Sequence, residues 1–485
     1  MTHFIELWSH WEIAITVLGY VVAVGIIFLE RKNPESTLAW TLVLLLVPMV
    51  GIFLYIIFSQ NISRMKLFRL KPEEENVVSN SLAEQIKAIS EKKYNFRNPA
   101  AEIWQDMIRL NQIYDSAYFT QNNSVEILSD GTDKFGRLLE DIRNAKEYIN
   151  IEYFIVKDDE VGNRLIDELT EKALAGVKIR FIMDGLGSRQ IVNRHVKKLR
   201  DAGGSVEFFF RPRTRTMMPR FNYRNHRKLV AIDGKIGYIG GYNVATEYLG
   251  RKAKFGYWRD THARITGDAV IDINVRFFLD WRYVSNEDIN IMEEMAVVTE
   301  ADGNCGIQIV TSGPDSTREE IKRAYMKMIT SATKCIYLQT PYFVPDSSIH
   351  ESLKMAALSG VDVRVMIPCK PDHLFVYWAT YWYVGDLLRS GVKVYIYDNG
   401  FLHAKTLVAD GQVASVGSAN FDNRSFKLNF EANAFVYDED VAEEMMRLFE
   451  KDMELSHELT KELYARRSWW IKVKENFARL LSNIL

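Results

Sequence analysis

Two strings in this chain repeat one arrangement of reactive side chains. His226, Lys228 and Asp233 fit H-x-K-x4-D, and His403, Lys405 and Asp410 fit it again. Each string is followed at the same spacing by two small residues and an Asn, in Gly240-Gly241-Tyr242-Asn243 and Gly417-Ser418-Ala419-Asn420. These side chains suit phosphoryl transfer. A neutral imidazole can attack phosphorus and carry a covalent intermediate. A second, protonated imidazole can donate to the leaving oxygen. Lys228, Lys405, Asn243, Asn420 and Ser418 can hold the non-bridging oxygens, whose charge they offset without a metal. A hard cation wants carboxylates rather than His, Lys and Asn, so neither metal nor cofactor is expected. Asp233 and Asp410 belong to the catalytic set by motif, and each could equally hold a turn or pair with a Lys.

Such groups need strands to aim them. His226 and Lys228 are two apart and share a face if extended, with Leu229 and Ala231 filling the other side. Asp233-Gly234 and Asp410-Gly411 are two-residue hairpin turns. The return strands are Lys235–Ile239 and the stretch ending at Val416, and the glycines after them let backbone approach a ligand.

The halves echo one another beyond the signature. Ala145–Phe154 parallels Ala332–Phe343, and Ala175–Phe181 parallels Ser359–Val365. Each half reads as helix, strand, helix, strand and then the hairpin. That alternation predicts an α/β fold of two mixed, mainly parallel sheets flanked by helices. The period is too long for a solenoid, so this is a duplication. The expected domains are a membrane hairpin over 1–60, a helical linker over 61–120, a first half over 121–300 and a second over 301–485.

Lys+Arg number 61 against Asp+Glu 63. Near-neutral charge gives no bulk pull toward nucleic acid. Cys305, Cys335 and Cys369 fit neither a disulfide framework nor a zinc site and suit a reducing compartment. Ile13–Leu29 and Leu38–Phe58 are uncharged and long enough to cross roughly 30 Å of hydrocarbon. Trp8, Trp11 and Trp40 lie near their ends, as interfacial aromatics do. Pro34 in the short connection makes the two spans a hairpin, and no small-x-small cleavage site follows. Arg64, Lys66, Arg69 and Lys71 outnumber Arg31 and Lys32 in the loop, which places the body on the cytoplasmic side.

Three stretches suit a lipid surface. Arg211, Arg213, Arg215, Arg220 and Arg224 crowd one segment without an acid. Leu374–Tyr383 packs six aromatics into ten residues, with Phe375, Trp378 and Trp382 on one helix face. Arg466–Leu481 is basic and amphipathic around Trp469 and Trp470, and lies in a headgroup layer or docks on the body.

The doubled signature resembles that of the phospholipase D superfamily. The whole chain resembles its bacterial cardiolipin synthase branch with two N-terminal spans, through Thr37–Trp40, Pro48, Gly51, Tyr55, Asp130-Gly131, Tyr257–His262 and Phe401-Leu402. The resemblance implies that two phosphatidylglycerol molecules give cardiolipin and glycerol through a phosphatidyl-histidine, with no nucleotide, in the bacterial cell membrane. It implies His226 as nucleophile and His403 as general acid, a choice that Arg220, Arg224 and Arg227 favour by disfavouring imidazolium at 226. It also implies downstream carboxylates that orient the imidazoles, for which Asp260 and Glu431 are the candidates. Gly241 departs from the Ser common at that place, so the half-sites are not equivalent. A membrane phospholipase D acting with water or another alcohol shares the signature, and a homo-oligomer is open.

Overall fold

Asp233, Gly234, Asp410 and Gly411 all have positive φ, at 52°, 66°, 57° and 67°. This is the type I′ pattern that matches the twist of paired strands. The turns join Leu229–Ile232 to Ile236–Gly240 and Thr406–Ala409 to Val413–Gly417. The computed structural model describes residues 2–29, 34–58, 67–191, 193–210, 222–252, 254–294 and 303–480.

Each hairpin sits at the middle of a sheet, and the two sheets have the same strand order. Among the described residues the first has seven strands, running Asn123–Leu128, His262–Gly267, Ile236–Gly240, Leu229–Ile232, Tyr148–Tyr153, Lys178–Asp184 and Ser205–Phe209. The second runs Gly306–Ser312, Asn429–Tyr437, Val413–Gly417, Thr406–Ala409, Cys335–Gln339, Asp362–Pro368 and Lys393–Tyr397, with Ser456–Glu458 added at the edge. The segments that echo in sequence therefore occupy equivalent positions, as a duplication requires. The sheets are mixed but not mainly parallel. Only Tyr148–Tyr153, Lys178–Asp184 and Ser205–Phe209 pair in parallel in the first, and their counterparts in the second. The signature hairpin and the strands beyond it run antiparallel. A two-residue turn can only reverse direction, and the hairpin supplies the sheet's centre.

The hairpin strands are buried on both faces. Val230 and Ile232 join the core under the first half's helices, whereas Leu229 and Ala231 join a core shared by both sheets. There they meet Ala263, Ile265, Val408, Ala414, Ala432 and Ala434. The small residues let the two sheets approach closely, which brings the ends of the signature hairpins together.

The expected linker is built into the body. Helices Pro72–Ser90, Pro99–Ile103 and Gln105–Asp115 place Ile89, Ala101, Trp104, Met107 and Ile108 in the second sheet's core beside Ile321 and Met328. An amphipathic helix shows the same periodicity whether its stripe docks or spaces two domains, so sequence does not separate the cases.

The N-terminal unit consists of helices Thr2–Leu29, Pro34–Leu46 and Pro48–Phe58. The expected second span is broken at Val47, because Pro48 lacks the N–H that would continue the helix. Leu44 is fully buried there, and a Cβ on Gly19 would lie 3.0 Å from that of Pro48. Trp40 and Tyr55 meet edge to face at 5.4 Å. Ile13, Val17, Val21, Val24, Leu38 and Phe53 each leave more than half of their surface uncovered. Among the described residues no helix is long and apolar enough to cross a membrane.

Candidate active site

Each signature His sits just before its hairpin, where the chain crosses to the other half. Arg224-Asn225 pairs in parallel with Asn429-Phe430, and Gly400–Leu402 pairs with Tyr257–Arg259. The His226 N–H donates to the Phe430 carbonyl at 2.9 Å, and that of His403 to the Arg259 carbonyl at 2.7 Å. This crossed register carries each imidazole to the carboxylate that follows in the partner strand. Nδ1 of His226 lies 2.9 Å from both carboxylate oxygens of Glu431, and Nδ1 of His403 lies 2.5 Å from Oδ2 of Asp260. Both carboxylates are fully buried. Each of the two carboxylates named from the sequence thus lies against the other half's histidine. A carboxylate on Nδ1 fixes the proton there and leaves Nε2 free for chemistry.

The site is dry and basic. Burial pushes the His226 imidazole down to about 4, with Lys228 and Lys405 adding to the effect and Glu431 opposing it. His403 is lowered by burial and by Lys405, against Asp260. Of the arginines expected to keep His226 neutral, Arg220 lies outside the described residues, and burial with the two signature lysines is what holds the imidazole down. Burial also draws Lys228 down to about 7 and Lys405 to about 8, although Glu431 and Asp260 oppose it. Although burial alone would raise Glu431 and Asp260, His226 holds the first carboxyl below its usual range, and Lys405 with His403 holds the second. Lys405 acts on His226 and Lys228 on His403, so the half-sites share one field. The Lys228 ammonium donates to the His226 carbonyl at 2.5 Å, and Nζ of Lys405 lies 2.9 Å from Nδ1 of His403. Phe154 stands edge-on to His226 at 4.9 Å, and Trp258 flanks His403 at 5.3 Å. Among the described residues, Nε1 of Trp258 and Oδ1 of Asn420 are buried with no hydrogen-bond partner.

Several expected site residues hold the frame instead. Asp233 accepts the N–H groups of Lys146, Glu147 and Tyr148 at 2.8–2.9 Å. Asp410 does the same for Thr333, Lys334 and Cys335. Both stand at the far turn of the hairpin, roughly 20 Å along the strand from the His at 3.3 Å per residue. The catalytic assignment of these two Asp is corrected: they staple the turn to the start of the central strand. The Asn243 side chain is spent on the Ile155 N–H and the Tyr248 hydroxyl. Ser418 donates to Glu431 at 2.5 Å, so its hydroxyl sets a carboxylate. At Gly241 the Asp260 carboxylate fills the space a side chain would take.

Of the lipid-facing candidates, Arg211, Arg213, Arg215 and Arg220 lie outside the described residues. Arg224 is buried in the crossing strand and not presented to a surface. Trp378 and Trp382 lie half-covered beneath the C-terminal helix Trp469–Leu480, under Lys474 and Arg479. Trp469 and Trp470 are about two-thirds exposed, at 67% and 66%.

A further ring of charges escaped the sequence reading. Nε of Arg227 donates to the Glu431 carbonyl at 3.3 Å, and Nη1 of Arg259 to the Asp260 carbonyl at 2.5 Å. Asp280 grips Arg227 at 2.7 Å, and Asp452 grips Arg259 at 2.8 Å. The main chain of each orienting residue is thus held by a buried Arg–Asp pair. A lone acid inside the apolar run Phe277-Phe278-Leu279-Asp280-Trp281 was the available signal. Among the described residues no group of three or more His, Cys, Asp or Glu is placed to hold a metal ion.

Residues 138–254 and 325–453 match the family described as cardiolipin synthase, PLD-like domain, and residues 17–60 match phospholipase D-nuclease N-terminal. A cardiolipin synthase of Oceanobacillus iheyensis is 49% identical over 469 residues, 97% of this chain and 98% of that one. The major cardiolipin synthase ClsA of Bacillus subtilis is 48% identical over 470 residues, again 97% and 98%. The phosphatidylserine synthase of Haemophilus influenzae shares the fold, with a TM-score of 0.61 at 15% identity, over 78% of this chain and 100% of that one.

Proposed function

We propose, from the premise that this chain belongs to the phospholipase D-like cardiolipin synthase family, that it is a membrane phosphatidyltransferase joining two phosphatidylglycerol molecules into cardiolipin and glycerol. The observation that carries the mechanism is the crossed pairing of His226 with Glu431 and His403 with Asp260. Nε2 of neutral His226 attacks phosphorus. The P–O bond to glycerol breaks, and the glycerol oxygen takes a proton from His403. A hydroxyl of a second phosphatidylglycerol then gives its proton to His403 and attacks phosphorus, and the P–N bond breaks. Lys228 and Lys405 offset the charge on the non-bridging oxygens. Burial keeps His226 neutral, as attack on phosphorus requires. The bound phosphodiester adds negative charge that, with Asp260, favours the protonated form of His403.

The outward apolar faces of the N-terminal helices and the match over 17–60 support a membrane-embedded hairpin, with the body on the cytoplasmic side. The exposed Trp469 and Trp470 support contact between the body and the lipid surface.

Thin-layer chromatography of the reaction with phosphatidylglycerol as sole lipid tests the reading. Cardiolipin with equimolar glycerol is expected, whereas phosphatidic acid alone would make the chain a hydrolase. Labelled phosphatidyl trapped on His403 in a His226→Ala protein would reverse the two histidines.

A further inference from the structure

Between the aromatic helix Leu374–Leu387 and the C-terminal helices Lys461–Ala465 and Trp469–Leu480 lies a cleft of about 520 Å³. It shares no residue with the paired imidazoles. Among the described residues lining it, Arg389, Lys461, Arg467 and Lys472 are cationic and Glu475 alone is acidic. Its floor is rigid: the Tyr464 ring lies where a Cβ on Gly385 would stand, and the Arg467 guanidinium stacks on that ring at 3.1 Å. Arg467 is only 3.0 Å from Glu475, yet its Nε and Oε1 of Glu475 are buried with no hydrogen-bond partner. Glu475 is 2% exposed. This unmet donor and carboxyl oxygen belong to side chains that line a cleft of net positive charge, which suits a ligand that can both accept and be held by cations. Arg389 is 80% exposed at the rim and lies 3.6 Å from Asp386, its only ion pair among the described residues.

We propose that this cleft is a second binding site, for the phosphate headgroup of an anionic phospholipid. The proposal rests on the reading that the body works against a membrane. The helix that lends Lys472 and Glu475 to the cleft also carries Trp469, Trp470, Val473, Phe477 and Leu480 exposed, as an apolar edge. A phosphate drawn to Arg467 and Lys472 would leave its acyl chains against that edge, which a free phosphate could not use. Burial pushes the Glu475 carboxyl up to about 7, so it can offer a proton to a phosphate oxygen instead of repelling it.

The test uses the full chain in detergent and counts bound ligand by calorimetry. The probes are dihexanoyl phosphatidic acid, dihexanoyl phosphatidylcholine and inorganic phosphate. Wild type should bind two equivalents of the phosphatidic acid. Arg389→Gln with Lys461→Gln, both at exposed positions that leave folding intact, should weaken one of them at least tenfold. Arg467→Gln should remove it. Phosphatidylcholine should not fill it, and inorganic phosphate should not displace it. Unchanged affinity for both equivalents in the rim variant overturns the proposal. Displacement by equimolar inorganic phosphate overturns the lipid assignment in favour of a free-phosphate site. Cardiolipin formation by the same wild-type preparation is read separately, so failure of the proposed reaction leaves the ligand count as an independent result.

Discussion

A Cβ on Gly241 would stand 2.0 Å from Oδ1 of Asp260, so the bare backbone and the carboxylate share one volume. The other half fills the equivalent volume with Ser418, whose hydroxyl donates to the longer Glu431. One half pairs Gly with Asp, the other Ser with Glu, and both deliver a carboxylate to the opposite imidazole. Gly241→Ser should therefore push Asp260 off His403 and lower kcat on the order of 100-fold. Adding Asp260→Glu should recover part of the loss by copying the other half. Full kcat in the single variant would show that the carboxylate does not need its place.

Asp233→Ala should cost stability and spare chemistry. It strands three backbone N–H groups that now meet a carboxylate, at about 2–4 kcal/mol in all. Thermal unfolding in detergent should show the loss, while kcat per folded molecule stays within about threefold of wild type. A thousandfold fall in kcat with unchanged unfolding would return Asp233 to the chemistry.

The pH profile should fall on its alkaline side first as His403, lowered by burial and Lys405, loses the proton it donates, and then as the lysines lose theirs. Lys228 and Lys405 are held down to about 7 and about 8, so they lose their charge, and the phosphate its partners, as pH rises through that window. His226 is held down to about 4, so it stays neutral well below 6.5 and does not set an acid limb near neutrality. The limb of kcat should lie higher than that of kcat/KM, because the bound phosphodiester favours the charged lysines. A kcat/KM that stays flat to pH 9 would contradict this.

Trp469→Ala with Trp470→Ala should raise the apparent KM for phosphatidylglycerol in mixed micelles more than it lowers kcat. Both rings are exposed, and the proposal gives them contact with the lipid surface rather than a place at the imidazoles. Equal falls in kcat and kcat/KM would place the helix in the chemistry instead.

The signature hairpins were legible because their signals are local. A two-residue period aims side chains, and Asp-Gly forms a turn without help from elsewhere. Asp260 and Glu431 were legible as carboxylates, but not their crossed service, which depends on Arg224-Asn225 and Gly400–Leu402 pairing with strands of the opposite half. Arg224 looked like a surface charge because nothing in its neighbours shows that the chain dives into the interface there. Asp233 and Asp410 looked reactive because a motif records which residues recur, and a staple recurs as faithfully as a nucleophile. The edge strands Asn123–Leu128 and Gly306–Ser312 escaped notice since each is defined by its sheet partner.

The crossed strands also set a clock on synthesis. His226 leaves the ribosome 205 residues before Glu431, a lag of about 10–40 s at roughly 5–20 residues per second. Throughout that interval the nascent chain carries an imidazole with no carboxylate to fix its proton and no strand to dock on. His403 completes its pair at once, since Asp260 is already made, yet it too must wait for the His226 pair to close. The chain is therefore without a complete pair at His226 for the whole time that separates its first helices from its last strands.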